Sequence, residues 1–138
     1  MQLQVGVKVL FKNEQGEVLI LKRSQPYPGD TECKWDIPGG RINTDEALLD
    51  GLKREIREET SLTLVGIPRF IFVQDIFQGV EKHVVRVTYL GIAEGEIKLD
   101  PLEHQEYRWL SIEDALKTYH DIYLTPVLNL LINQKFAS

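Results

Sequence analysis

Cysteine is almost missing: Cys33 is the one thiol in 138 residues. An intramolecular disulfide is therefore excluded. With no C-x-x-C pair, neither a dithiol redox site nor a cysteine-based zinc site is expected. Such sparse cysteine fits a reducing compartment, so the expected location is cytoplasmic. No apolar run approaches the roughly 18–20 residues that span a bilayer, and no membrane partner is expected. The opening MQLQVGVKVLFKNEQGE has no basic leader ahead of a continuous apolar block, so it does not read as a signal peptide. Basic residues are in deficit too. Sixteen Lys and Arg against 21 Asp and Glu leave a net charge of −5, and no Lys/Arg run offsets it. Proteins that bind nucleic-acid duplexes usually carry the opposite balance, so no duplex partner is expected. An acidic protein can still hold a phosphate-bearing small molecule where divalent cations bridge the two. Repeats, low-complexity segments and linkers are also absent. Residues 1–138 therefore read as one domain around one core.

What is present is a clear alternation of periods. Leu3, Val5, Val7, Val9 and Phe11 recur every second residue, predicting a strand over 3–11. KNEQGE, with Gly16, reads as a turn, and VLILKR as a second strand completing a hairpin. SQPYPGDTECK, 24–34, is loop-like, and in WDIPGG the proline and paired glycines interrupt any strand. From Thr44 to Glu59 the period becomes helical, with Leu48, Leu52 and Ile56 on one stripe and Leu49 beside it. Asn43 with Glu46 resembles a capping box, and Thr44 is an alternative cap. RFIFVQDIF and HVVRVTYLGIA read as long strands, and EYRWLS as a short one. Ser111 caps a helix through SIEDALKTY, and Thr125 and Pro126 take the N-cap and N1 positions of a last helix. Trp109 is expected to pack under these C-terminal helices. The order ββαβββαα, without regular crossovers, gives an α+β fold with a mixed sheet.

Within the long helix, REIREE places Glu55, Glu58 and Glu59 at i, i+3 and i+4, on neighbouring parts of one surface. Like charges at this spacing cost roughly 0.2–0.5 kcal/mol per pair, and the helix dipole disfavours anions in the last turns. A hard divalent cation taking oxygen ligands would offset both costs. A solvated face on which Arg54 and Arg57 pair with the carboxylates is the plainer explanation.

The flanking residues decide between them. Gly40, Glu46, Arg54, Glu55, Ile56, Glu58, Glu59 and Leu62 stand at the spacings of the box that defines the Nudix hydrolases, and the chain resembles that family. Ser61 is the one departure, where the family carries glycine. The preceding strands, WDIPGG and the late EYRWLS also resemble the family layout, so the likeness covers most of the chain. It implies a Nudix-like mixed β-sheet sandwiched between α-helices. A serine in the left-handed conformation that glycine would supply costs on the order of 1 kcal/mol, which bears on the helix exit and not on the carboxylates.

The resemblance implies hydrolysis of a nucleoside diphosphate linked to another group, with Mg2+, or Mn2+ in its place, as cofactor. By position, Glu55, Glu58 and Glu59 would be metal ligands, and Glu55 or Glu58 the proton acceptor. Arg54 would orient a glutamate through paired hydrogen bonds and itself pair with Glu46. The Gly39 carbonyl would add an oxygen, and Glu103, six residues before Trp109, a late acidic ligand, with Glu106 the runner-up. Arg23 is a candidate phosphate contact, and Trp35 and Phe77, like Tyr27 and Phe72, candidates for stacking on a base. Of the three histidines, His104 is the strongest candidate because it neighbours Glu103. The 24–34 loop is the expected specificity element.

Downstream of the box, FQGV carries neither the proline of ADP-ribose hydrolases nor the tyrosine of dinucleoside polyphosphate hydrolases. A (deoxy)nucleoside triphosphate, cut to monophosphate and pyrophosphate, is the expected substrate. ADP-ribose, nucleotide sugars and dinucleoside polyphosphates are the alternatives, and a non-catalytic nucleotide-binding module is a reading of another class. The family resemblance allows a monomer or a homodimer.

Overall fold

The structure, a computed structural model, describes residues 1–135. Its strands are β1 (Gln2–Phe11), β2 (Val18–Arg23), β3 (Trp35–Asp36), β4 (Gly39–Arg41), β5 (Thr63–Gln78), β6 (Lys82–Glu94) and β7 (His104–Leu110). Its helices are α1 (Leu48–Thr60), α2 (Ile112–Lys117) and α3 (Thr125–Lys135).

The strands form two sheets. One has the order β4-β1-β6-β5, with β1 parallel to β6 and the other pairs antiparallel. The other, β3-β2-β7, is antiparallel throughout. The expected hairpin between the first two strands is thus corrected. The turn at Asn13–Gly16 forms, but β1 and β2 meet at the Lys12–Val18 bridge and then part into different sheets. The second half of β1 and the first four residues of β2 are buried on both faces, which allows each to lie between helical layers. Val7, Val9 and Phe11 of β1 and Leu19 and Leu21 of β2 pack with Leu52 and Ile56 of α1. Leu10, Val18 and Ile20 face the opposite way, toward Ile112, Val127 and Leu128 of α2 and α3. The result is a mixed β layer between helices, an α+β fold.

Two boundaries and the packing of one side chain differ from the sequence expectation. WDIPGG does not merely interrupt a strand: Trp35–Asp36 belongs to one sheet and Gly39–Arg41 to the other, with Pro38 at the crossing. The long helix starts at Leu48 and not at Thr44. Ala47 occupies the N-cap without a side-chain hydrogen bond, and residues 43–46 make a turn in which Glu46 Oε1 accepts the Asn43 N–H at 3.0 Å. Leu48 is therefore at the exposed start of the helix and not in its buried stripe. Trp109 packs on the α1 side, with the Leu19 and Leu21 cluster, because its register opposite Leu19 turns it away from α2 and α3. The Ser111 cap forms as expected, its Oγ accepting the Asp114 N–H at 3.1 Å.

Candidate active site

Helix α1 carries the acidic cluster, and its own packing shows why the cluster is tolerated. Leu52 and Ile56 are fully buried. Burying each contributes roughly 1.5–3 kcal/mol, against a few tenths per like-charge pair. The helix therefore stands without help from a cation. Arg54 relieves the remaining repulsion. Its Nη1 donates to Glu55 Oε1 at 3.1 Å and to Glu58 Oε2 at 3.2 Å. Its Nε and Nη2 grip both Glu46 oxygens at 2.7 and 3.0 Å, and Nη2 also reaches the Arg41 carbonyl. This guanidinium and the Asn43 amide pull the Glu46 carboxyl down to about 2.

The cluster opens onto a cleft of about 580 Å³. Gly39, Gly40, Glu55, Glu58, Glu59, Glu103 and Arg23 line it, so most of the expected site is brought to one place. Gly39 has φ 137, and a β-carbon there would overlap the Val7 carbonyl, so only glycine fits. Its N–H donates to Glu59 Oε1 at 3.1 Å.

The three glutamates differ in environment. Glu59 is 8 % exposed. Burial pushes its carboxyl up to about 8, with Glu55 and Asp36 adding to the rise and Lys8 and the Gly39 amide opposing it. Glu58 is the open one, with a side chain 58 % exposed. Among the described residues no three carboxylate, imidazole or thiol groups are already gathered as a metal cage. The donors nonetheless suit a hard cation. All are oxygens, they share one wall, and a buried carboxyl among other acids is the kind of group that a divalent ion would neutralise.

Four candidates from the sequence are not brought to the cleft. Trp35 is 6 % exposed and packs in the α2/α3 core, because its pairing with Lys22 turns the indole there. Phe77 is 59 % exposed and stacks on His83, at 4.4 Å between ring centroids. Its neighbour Ile76 takes the inward side of β5, so Phe77 faces out. Phe72 packs against the α2/α3 core. Glu106 pairs with Arg108 on β7 and does not line the cleft. Tyr27 does line it. Its hydroxyl donates to Asp121 Oδ2 at 3.3 Å, and burial, Asp36 and Asp121 push it up to about 12.

Sequence reading missed Lys8, Asp36, Arg86 and Asp100, all in the cleft wall. Lys8 Nζ donates to Asp36 Oδ2 at 3.2 Å and to the Ile37 carbonyl at 3.1 Å. Burial opposes ionisation of Asp36, but Lys8, Arg86 and the Ile37 amide outweigh it and hold its carboxyl below the ordinary range. The sequence carries one partial signal: Lys8 is the single charge of β1, whereas Arg86 shares β6 with Lys82 and Glu94. His104 also lines the cleft. Burial, with Lys8 next, lowers its pKa to about 4, so it is neutral near pH 7.

Comparison with known proteins fits this geometry. The family model described as NUDIX domain matches residues 2–131. The chain belongs to the NUDIX domain family. Within this NUDIX domain, the box Gly40–Leu62 runs from β4 through α1 and its exit. The MutT protein from Methanosarcina mazei Go1 is a similar solved structure, with TM-score 0.80, 33% identity and coverage of 96% of this chain and 95% of that one. CTP pyrophosphohydrolase of Escherichia coli (strain K12) is 28% identical over 115 residues, 82% of this chain and 80% of the relative. Other relatives are longer. The match takes in 94% of this chain but only 44% of Nudix hydrolase 5 of Arabidopsis thaliana, at 23% identity. The chain thus spans less than half of the first curated relatives it matches.

Proposed function

We propose that this NUDIX domain hydrolyses the pyrophosphate linkage of a nucleoside diphosphate derivative, and that its substrate is a (deoxy)nucleoside triphosphate, released as monophosphate and pyrophosphate. The observation that carries the reading is one cleft holding Glu55, Glu58 and Glu59 together with Lys8, Arg23 and Arg86. Acid groups alone would repel a polyphosphate. Cations and acids in one cleft suit a polyphosphate that arrives with its counter-ion.

Glu55, Glu58 and Glu59, with Glu103 and the Gly39 carbonyl, would hold Mg2+, or Mn2+ in its place. A bound ion supplies charge neutralisation on the phosphates and acidifies water. The remaining work falls to the chain itself. Arg54 sets the planes of Glu55 and Glu58, one of which takes the proton of the attacking water. Arg23, Lys8 and Arg86 hold and orient the anionic substrate from other walls of the cleft. Tyr27, on the 24–34 loop, takes the aromatic role expected of Trp35 and Phe77. The preference for a triphosphate is supported by the relative whose name states that it acts on CTP.

The test is phosphate release, with added pyrophosphatase, across nucleoside triphosphates, ADP-ribose, nucleotide sugars and dinucleoside polyphosphates, with and without Mg2+. Release from triphosphates that stops without Mg2+ is the expected result. Turnover confined to the other classes would overturn the substrate assignment. Binding without release from any compound would make the chain a nucleotide-binding module.

A further inference from the structure

His104 opens β7 and is 8 % exposed. Its Nδ1 is buried and, among the described residues, has no hydrogen-bond partner. Leaving such an atom unmet is costly, and native interiors rarely do so. The atom faces Glu59 Oε2 at 4.0 Å, about 1 Å beyond hydrogen-bond length. The other oxygen of Glu59 is already committed, since Oε1 accepts the Gly39 N–H at 3.1 Å. The backbone of His104 is anchored as well: its N–H donates to the Asp100 carbonyl at 2.9 Å, and it pairs across to Arg23. A small rotation of the Glu59 carboxylate, with Oε1 kept on Gly39, would close the gap.

We propose that His104 is a positioning residue for Glu59: with its proton on Nδ1 it donates to Oε2 and, together with the Gly39 amide, sets the plane of that carboxylate. The orphan atom and the half-held carboxylate explain each other. In this role His104 touches neither the substrate nor the attacking water. The inference rests on the hydrolytic reading of the cleft only for what the positioned carboxylate then does.

Two amide substitutions separate the ring nitrogens. His104→Asn places an N–H near the Nδ1 position, whereas His104→Gln places it farther out. The expected result is a fall in kcat of about 10–100-fold in His104→Ala, the cost usual for a residue that orients another. His104→Asn should recover most of this and His104→Gln little, with KM nearly unchanged throughout. In a Glu59→Gln background, His104→Ala should cause no further loss. A readout free of turnover is the Nδ1–H resonance of His104 in 15N-labelled protein without divalent ions, at a pH alkaline enough to ionise the buried Glu59 carboxyl, which should shift in Glu59→Gln. A folded His104→Ala with wild-type kcat, an Asn variant no better than Gln, or a resonance indifferent to Glu59→Gln would overturn the proposal. A wild-type protein inert toward every nucleotide, but with a resonance that responds to Glu59→Gln, would instead overturn the hydrolytic reading and leave the contact standing.

Discussion

A β-carbon built on Gly40 would lie 2.7 Å from the Glu55 carboxylate. The glycine is thus a space reserved for an acid, and the obstacle to filling it is the far end of a flexible side chain. Gly40→Ala is therefore expected to shift Glu55 and cut kcat by about 10-fold or more, since roughly 1 Å of misplacement can cost 10²-fold. Its melting temperature should stay close to wild type, and circular dichroism melts beside steady-state kinetics check both halves. Asp36 makes the opposite prediction. It is buried against Lys8, and Asp36→Asn leaves that ammonium uncompensated, which costs about 3 kcal/mol in chemical denaturation. The pH dependence has a definite sign. Because the folded carboxyl is held below its ordinary 3.8, the unfolded chain takes up this proton first as pH falls. The stability that Asp36 contributes is present above that ordinary value and is lost as pH drops through the folded one. Acid unfolding of Asp36→Asn should lack this component. At this scale the glutamates were legible, because box spacing on a helix places them on one surface. Lys8, Asp36 and Arg86 were not, because a strand's period says which face a side chain takes but not that the face borders a cleft.

Helix α1 ends where its sequence departs from the family. Ser61 takes φ 63 and ψ 9, the left-handed conformation that glycine would adopt at no steric cost, and its N–H still closes on the Arg57 carbonyl at 3.0 Å. The helix exit is kept and the strain is accepted. Ser61→Gly relieves a penalty of roughly 1–2 kcal/mol and gives back part of it through the looser unfolded chain. A net gain of about 0.5 kcal/mol is expected in urea unfolding, with kcat unchanged. Element types were legible because periods of two and of three to four are local properties. The start of α1 was not, since Asn43 and Glu46 carry the marks of a cap but close a separate turn. The β1–β2 hairpin failed for a related reason: a turn brings strands together, but partner choice is made by β4, β6, β3 and β7.

For the molecule as a whole, the core and the acidic cluster are separable. Two apolar clusters hold the β layer to α1 on one side and to α2 and α3 on the other, and the acidic wall is part of neither. Chelating divalent ions with EDTA is therefore expected to abolish turnover while circular dichroism stays native. Restoring Mg2+ should raise the melting temperature according to its affinity, as for any ligand that binds only the folded state. Loss of structure in EDTA would contradict this separation. The periodicities and the spacing from Gly40 to Leu62 determined, without any coordinates, that the chain is α+β and that three glutamates share a helix surface, because both follow from short-range geometry. Tertiary structure alone decided which strands pair, that Trp35 and Phe77 turn away from the cleft, and that Lys8, Asp36, Arg86 and His104 line the same cleft as Glu59. Those residues lie far apart in sequence, and only the packing of two sheets against one helix brings them within reach of each other.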